Sequence, residues 1–430
     1  MIVESLIKKL KVLKSVLKKL YFKNEIRKVQ HNQKKALAKI KNKPKIKVAF
    51  FLIHHADWKY EGVYRLMEND NCFEPIVFVC PYITLGQESM LKVMSKAFET
   101  FKNEGYNVIK TLDDLAGTWL DIKREINPDI VCFTSPWDLT RPEYLINNYL
   151  DVLTCYVPYG YKISFLYEAH FNLPMQNLVW KFFVETEIHK KLSLQYSRNE
   201  SANTVVTGYP GMDKFLQNGK QYKEVWKVKS EKLKRIIWAP HHTIPDMGAK
   251  LDYSTFLKFA DFMLLLADER RNDIQIAFKP HPILRVNLSK PEVWGKEKTD
   301  AYYQKWKDLP NGQLNEGEYI DLFFTSDGII HDSGSFVIEY LYTYKPVMFL
   351  FNDESVPDRF NEIGKMALSK FYPGKSEMDI KQYVQDIIIE GNDTLQAERV
   401  DFFRTVITSP NNITASENIY NHIKFSIFSN

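Results

Sequence analysis

The 430-residue sequence holds only four cysteines, Cys72, Cys80, Cys132 and Cys155. None has C-x-x-C spacing and most sit in apolar segments, so reduced, buried thiols of a cytoplasmic protein are expected and a zinc site is not. No apolar run approaches the roughly 20 residues that cross a bilayer. The N-terminus lacks an uninterrupted apolar core, so no signal peptide is expected. P-loop, H-E-x-x-H, G-x-S-x-G and G-x-G-x-x-G motifs are missing, which removes support for ATP hydrolysis, zinc proteolysis, α/β-hydrolase chemistry and ordinary NAD binding. There is no D-x-D pair, and the expectation is chemistry without a metal or cofactor. Repeats and low-complexity tracts are absent.

What is present is the composition of a soluble globular protein, 45% hydrophobic and 26% charged, with a high 14% aromatic content. The length suggests two domains of ordinary size. The net charge of +5 is unevenly spread. Residues 1–43 carry 14 Lys/Arg and two acids, a net of +12, which leaves 44 basic and 51 acidic side chains elsewhere, a net of −7. Within this arm Ile2, Leu6, Leu10, Leu13, Leu17 and Leu20 recur at helical spacing among lysines. Such a helix fits an anionic membrane surface, each nearby lysine adding about 1 kcal/mol. A helix packed on the protein's own body and a nucleic-acid arm are the competing readings. The leucine stripe favours the membrane, and no nucleic-acid partner is expected.

After Pro44 the pattern alternates βαβα. Lys45–Ile53, Glu74–Val79, Asp129–Thr134 and Cys155–Val157 read as buried strands of a first Rossmann-like domain. A second set of βα units begins at Arg235–Ala239 and continues through Ile274–Lys279 to the stretch 319–350. There an approach helix, the strand Gly328–Ile330, the turn Asp332-Ser333-Gly334-Ser335 and a helix from Phe336 follow one another. The turn's free N–H groups and the helix's positive end suit a diphosphate. Glu339, one turn further along, is placed to accept from sugar hydroxyls. Six of the ten histidines, His54, His55, His241, His242, His281 and His331, fall at the carboxyl ends of strands, where open α/β sheets bind ligands. Pro280 and Pro282 fix the backbone around His281.

The run SDGIIHDSGSFVIEYLYTYKPVMFL resembles the nucleotide-donor half of CDP-glycerol glycerophosphotransferases, the teichoic-acid-type and capsule-synthesis polymerases. Their pattern S-D-x-x-x-x-D-x-S-S-x-x-x-[DE]-Y followed by K-P is matched at Ser326, Asp327, Asp332, Ser335, Glu339, Tyr340, Lys345 and Pro346. Gly334 stands where the family usually has its first Ser. Gly208-Tyr209-Pro210 with Asp213 resembles the family's G-Y-P-x-x-D, and Lys279-Pro280-His281-Pro282 its K-x-H-P. The resemblance implies two Rossmann-like domains facing a cleft, GT-B-like, behind the basic N-terminal helix. It divides the chain into the arm 1–43, an acceptor domain 44–210, a nucleotide-donor domain 211–410 and a C-terminal helix 411–430 returning to the first domain.

By the same resemblance His281 stabilises the leaving nucleotide. Lys279 and Arg285 assist it, His241 and His242 lie at the nucleotide, and Asp332, Ser333, Gly334 and Ser335 with Glu339 hold the donor. The family's W-H-G-T-P motif is absent from the first domain. Its nearest equivalent is Val157-Pro158-Tyr159-Gly160-Tyr161, without histidine. An acceptor hydroxyl still has to lose its proton, and His54, His55 or Asp57 are the candidate bases, with Trp58, Tyr159 and Tyr161 positioning the acceptor. The implied activity transfers glycerol phosphate, or a similar polyol phosphate, from a CDP-linked donor to a cell-surface polymer or lipid-linked acceptor, on the cytoplasmic face of the membrane. The alternatives are a nucleotide-sugar glycosyltransferase or 2-epimerase and a non-catalytic scaffold of a wall or capsule complex.

Overall fold

In the computed structural model, which describes residues 22–216, 221–244 and 251–429, two all-parallel sheets dominate. Their strands in chain order are β1 (Ile46–Leu52), β2 (Phe73–Val79), β3 (Val108–Lys110), β4 (Leu112–Asp113), β5 (Thr118–Trp119), β6 (Ile130–Phe133), β7 (Leu153–Tyr156), β8 (Lys181–Val184) and β9 (Thr204–Val206), then β10 (Lys234–Ala239), β11 (Ile274–Phe278), β12 (Gly312–Leu314), β13 (Gly328–His331), β14 (Val347–Leu350) and β15 (Tyr372–Gly374). The first sheet has the order β3-β2-β1-β6-β7-β8-β9 and the second β12-β11-β10-β13-β14-β15, while β4 and β5 form a separate hairpin. In each sheet the chain adds strands to one side of its first strand and then crosses to the other. The switch points lie between β1 and β6 and between β10 and β13, the places where such sheets leave a crevice at their carboxyl ends.

The chain divides into two compact units. One comprises the described parts of 1–162, 166–213 and 409–430; the other comprises 163–165 and 214–408. In the first, β1 shows why a continuous apolar run makes a central strand. Val48, Phe50 and Leu52 enter one buried cluster with Val63, Met67, Ile419 and Ile423, while Ala49, Phe51 and Ile53 enter the cluster on the opposite face. In the second, Trp238 of β10 is fully buried and stacks between Phe256 and Phe278, at 5.7 and 5.0 Å between ring centroids.

The leucine stripe of residues 2–20 lies outside the described residues. Residues 22–40 form a helix whose apolar side is used by the protein itself. Ile26, Val29 and Ile40 are buried in the first unit's clusters, and the Gln33 side chain donates to the Leu178 carbonyl at 2.8 Å. Arg27, Lys28, Lys34, Lys35 and Lys39 face outward. The reading of 1–43 as one membrane-bound helix is therefore corrected for this part: its apolar face is buried against the protein's own core.

The G-Y-P-x-x-D segment has a structural role. Asp213 Oδ1 and Oδ2 accept from the Ala415 and Ser416 N–H groups, each at 2.9 Å, capping the last helix, Ala415–Phe428. Gly208 has φ +85°, and a Cβ there would collide with Ser409 Oγ, so no other residue fits. Asp213→Ala strands two helix-terminal donors and is expected to lower the first unit's stability by about 1–3 kcal/mol, read from its denaturation midpoint.

The family-like pattern around β13 is also largely architectural. Asp327 exchanges two hydrogen bonds with the Arg235 backbone, both 2.7 Å, which aligns the starts of β10 and β13. Ser326 Oγ meets Tyr340 Oη at 2.6 Å, and Lys345 Nζ donates to the Phe324 and Ser326 carbonyls at 2.5 Å. These residues sit at the amino edge of the sheet, away from its ligand-binding end.

Candidate active site

At the carboxyl edge of the second sheet, Asp332 is the organising residue. It follows β13 and is fully buried. Its Oδ1 accepts from the His241 N–H at 2.5 Å, and its Oδ2 accepts from the Thr255 N–H at 2.5 Å and the Thr255 hydroxyl at 2.7 Å. Burial pushes its carboxyl up to about 6, opposed by those donors. With its oxygens occupied, Asp332 positions the loop after β10; this corrects its expected role as a donor-contacting side chain.

That loop meets the one after β11. The Lys279 N–H donates to the Trp238 carbonyl at 2.8 Å and the His281 N–H to the Pro240 carbonyl at 3.2 Å. His281 then caps the helix Pro282–Leu288, its Nδ1 accepting from the Ile283 N–H at 3.2 Å. Three imidazoles gather here: His242 lies 4.3 Å from His281 and 4.1 Å from His241, and His241 5.7 Å from His281, between centroids. Burial lowers all three below the usual histidine range, His281 to about 4, with His242 and Lys279 adding to the shift at His281. They are neutral at pH 7, hydrogen-bonding groups rather than cations. Among the described residues no cluster of three or more His, Cys, Asp or Glu has a geometry that could hold a metal.

Among the described residues two ammonium groups lie by the Tyr319 ring, Lys214 with its Nζ 5.5 Å from the ring centre and Lys279. The Lys279 side chain is buried, with 6% exposure, and its Nζ lies 5.7 Å from the Tyr319 ring centre; burial lowers its pKa against the pull of Glu318 and Glu316. Tyr319 donates to Glu339 Oε2 at 2.6 Å, so Glu339 is held in place rather than left in solvent. Arg285 is paired with Asp300 at 2.8 Å and with Glu316 at 3.6 Å, and lies 4.9 Å over Tyr303.

The turn after β13 departs from expectation in two respects. The Ser335 side chain makes no cap hydrogen bond, and the helix behind it, Phe336–Glu339, runs one turn before tightening into a 3₁₀ segment. The helix-dipole contribution is therefore small. The Ser333 N–H is taken by His331 Nδ1 at 3.2 Å, while the Gly334 and Ser335 N–H groups have no acceptor among the described residues. A side chain at Gly334 meets nothing closer than Tyr253, 3.5 Å from its Cβ position, so glycine in place of the family's serine reflects no steric demand. His331 itself is fully buried against Phe336, Phe349 and Phe371. Burial lowers its pKa to about 3. It is a core residue, which corrects its grouping with the strand-end histidines.

In the first unit, His54 and His55 follow β1 with rings 4.8 Å apart, and His54 Nδ1 accepts from the Ala56 N–H at 3.2 Å. Trp58 packs in the aromatic cluster of Phe50, Tyr60, Phe101 and Tyr106, donating to Tyr106 Oη at 3.2 Å, so its ring serves the core. Tyr159 is exposed and accepts from Trp137 Nε1 at 3.3 Å, while Tyr161 stacks edge-on against His189 and Tyr209. Sequence reasoning missed Tyr319, whose only signal is its place four residues before Phe323 at the start of the approach helix.

The model of the family CDP-glycerol:poly(glycerophosphate) glycerophosphotransferase matches residues 168–424, more than half of the chain. The chain belongs to this family. As a glycerophosphotransferase-family protein it is an enzyme, a transferase of the CDP-glycerol type. The fold is that of GT-B proteins. The S. aureus MnaA–UDP co-structure is similar at 17% identity over 90% of this chain and 98% of that one, TM-score 0.57. UDP-GlcNAc 2-epimerase from Neisseria meningitidis bound to UDP-GlcNAc is similar at 16% over 88% and 99%, TM-score 0.56. A variant of the wall teichoic acid polymerase TagF is similar at 13% over 94% and 98%, TM-score 0.55. No curated protein matches the chain. The epimerases thus share this glycerophosphotransferase's fold, and the family match favours transfer over epimerisation.

Proposed function

We propose that the protein transfers glycerol phosphate from CDP-glycerol to a phosphate-containing cell-surface polymer or its lipid-linked precursor, and that the second unit binds the donor. The observation that carries this is the placing of Lys279 and His281 after β11 and of the unoccupied Gly334 and Ser335 N–H groups after β13, on either side of β10, whose following loop is bonded to Asp332 on one side and to the His281 N–H on the other. One ammonium and several neutral donors match a diphosphate, whose charge grows on the leaving phosphate as the bond to phosphorus breaks. In this reading His281 donates to the departing CMP, Lys279 supplies the charge, and Glu339, fixed by Tyr319, accepts from glycerol or ribose hydroxyls.

The test is thermal stabilisation of the purified chain by CMP, CDP-glycerol, CDP-ribitol, UDP-sugars and GDP-sugars, repeated with Lys279→Met. Stabilisation by cytidine compounds that Lys279→Met reduces supports the reading. Stabilisation by UDP- or GDP-sugars alone refutes it.

Peripheral attachment to an anionic membrane is proposed for residues 1–21, with the outward lysines of 22–40 adding electrostatic attraction. No helix among the described residues is long and apolar enough to cross a membrane. Deleting 1–21 is expected to release the protein from anionic vesicles without lowering its melting temperature. Deleting 1–43 removes Ile26, Val29, Gln33 and Ile40 from the core and lowers it as well. Unchanged co-sedimentation of the shorter deletion contradicts the membrane assignment.

A further inference from the structure

The donor site draws its charge from Lys279, yet the donor carries more charge than one ammonium balances. Near neutral pH each phosphate of a CDP-linked polyol, esterified on one side and joined through the bridging oxygen on the other, bears a negative charge. A second cation is therefore expected beside the first. Lys214 stands there, immediately after the Gly208–Asp213 segment, with its Nζ 5.5 Å from the centre of the same Tyr319 ring that Lys279 approaches at 5.7 Å. Both are within cation–π reach of that ring.

Lys214 opens the second unit, and its place there is fixed by its neighbour. Phe215 is buried and packs against Phe323, Phe324 and Tyr342, at 6.4, 5.9 and 5.5 Å between ring centroids. Phe323 and Phe324 belong to the helix Ile320–Thr325 that starts after Tyr319, and Tyr342 lies in the 3₁₀ segment that follows Glu339. The Phe215 ring thus holds the Lys214 main chain against the two segments that carry Tyr319 and Glu339. The Lys214 side chain is exposed and makes no hydrogen bond or ion pair with the described residues. Its neighbour Asp213 spends its carboxylate on the Ala415 and Ser416 N–H groups instead.

The two ammonium groups differ in what stands beside them. Lys279 is buried, two residues before His281, and its N–H is bonded to the Trp238 carbonyl, so it belongs to the β11 side of the site. Lys214 belongs to the side of Glu339, through the packing of Phe215 on Tyr342. Tyr319 joins them: its ring, set against Phe323 and Phe336 at 4.9 and 5.3 Å, lies near both ammonium groups, while its hydroxyl donates to Glu339 Oε2 at 2.6 Å. An ammonium and a carboxylate on one tyrosine suit a phosphorylated polyol, the ammonium taking the phosphate and the carboxylate accepting from hydroxyls.

We propose that Lys214 is the second cation of the donor site and binds the phosphate that is transferred, the one bearing the polyol. Lys279 and His281 take the phosphate that leaves with CMP. This rests on the transferase reading above. The division matches the course of charge in the reaction. Negative charge builds on the leaving phosphate as its bond to the β-phosphorus breaks, whereas the transferred phosphate keeps its charge from donor to product. A buried lysine with neutral donors serves the first need, and an exposed, unpaired lysine serves the second without blocking the approach of an acceptor.

The experiment measures thermal stabilisation by CMP and by CDP-glycerol across a concentration series for wild type, Lys214→Met, Lys214→Arg and Lys279→Met. CMP lacks the phosphate assigned to Lys214, so the two ligands separate the two lysines. Lys214→Met is expected to melt as wild type without ligand, to bind CMP as wild type does, and to bind CDP-glycerol about 10–100-fold more weakly, the loss of one hydrogen bond to a charged group. Lys214→Arg keeps the charge and restores most of that affinity, while Lys279→Met weakens both ligands. Lys214→Met that binds CDP-glycerol within twofold of wild type overturns the assignment. Equal weakening of CMP and CDP-glycerol in Lys214→Met also overturns it, because the lysine then serves the leaving phosphate. A wild-type chain stabilised by neither cytidine compound overturns the transferase reading, and this assignment with it, so the wild-type response tells the two failures apart.

Discussion

Asp332→Ala is expected to remove about 3–5 kcal/mol from the stability of the second unit. The substitution leaves the His241 N–H, the Thr255 N–H and the Thr255 hydroxyl without their common acceptor in a fully buried place. A second consequence follows from the same bonds. Among the described residues His241 is joined to the end of β13 through this carboxylate, so the loop carrying His241 and His242 loses that anchor and keeps its bonds on the β11 side, from the His281 N–H to Pro240 and from the Asn287 side chain to the His242 carbonyl. The unit's thermal transition should fall by roughly 10 °C or more, with CMP stabilisation lost even below the new transition. Asp332→Asn tests the geometry separately: its amide offers one acceptor and turns donors toward donors, so it is expected to lie between wild type and alanine. A variant with an unchanged transition and intact CMP binding contradicts the organising role.

His281→Asn is expected to lower the rate of glycerol phosphate transfer by about 10²–10³-fold, the usual cost of removing one donor to a developing oxyanion. Asparagine is chosen because His281 also caps the helix Pro282–Leu288, and alanine would add about 1 kcal/mol of instability to any catalytic loss. Asparagine preserves the cap, and unfolding should match wild type. A loss in kcat with KM little changed identifies an interaction made mainly in the transition state. Wild-type turnover in His281→Asn removes this residue from the chemistry and leaves Lys279 with the turn N–H groups as the means of stabilising the leaving group.

The sequence patterns reveal the architecture where strands are long and uniformly apolar. Ile46–Leu52, Lys234–Ala239 and Ile274–Phe278 are central strands buried on both faces, and their composition announces it. Edge strands of three residues such as Thr204–Val206 and Tyr372–Gly374 carry no comparable signal, because so little of them is buried. Among the histidines, position at a strand end is visible but side-chain direction is not. The pleat sends His331 into a cage of phenylalanines, whereas His281 stays at the edge. Motif residues pose a similar problem. Asp332 is expected at the donor and Lys345 belongs to the same family-like pattern, yet both spend their polar atoms on backbone and neighbouring side chains. Lys162 gives no local sign that it is buried. Its burial depends on Glu185 and His189, more than twenty residues away, and only the fold brings these together.

The central claim is that this chain moves glycerol phosphate from a cytidine-linked donor, and CMP formation tests it most directly. Purified protein is incubated with CDP-glycerol, with and without poly(glycerophosphate), and CMP and polymer length are followed together. The account predicts CMP release that requires the acceptor and matches the number of glycerol phosphate units added. CMP release without polymer growth, or no turnover of CDP-glycerol under conditions where a UDP-sugar is consumed, would contradict it.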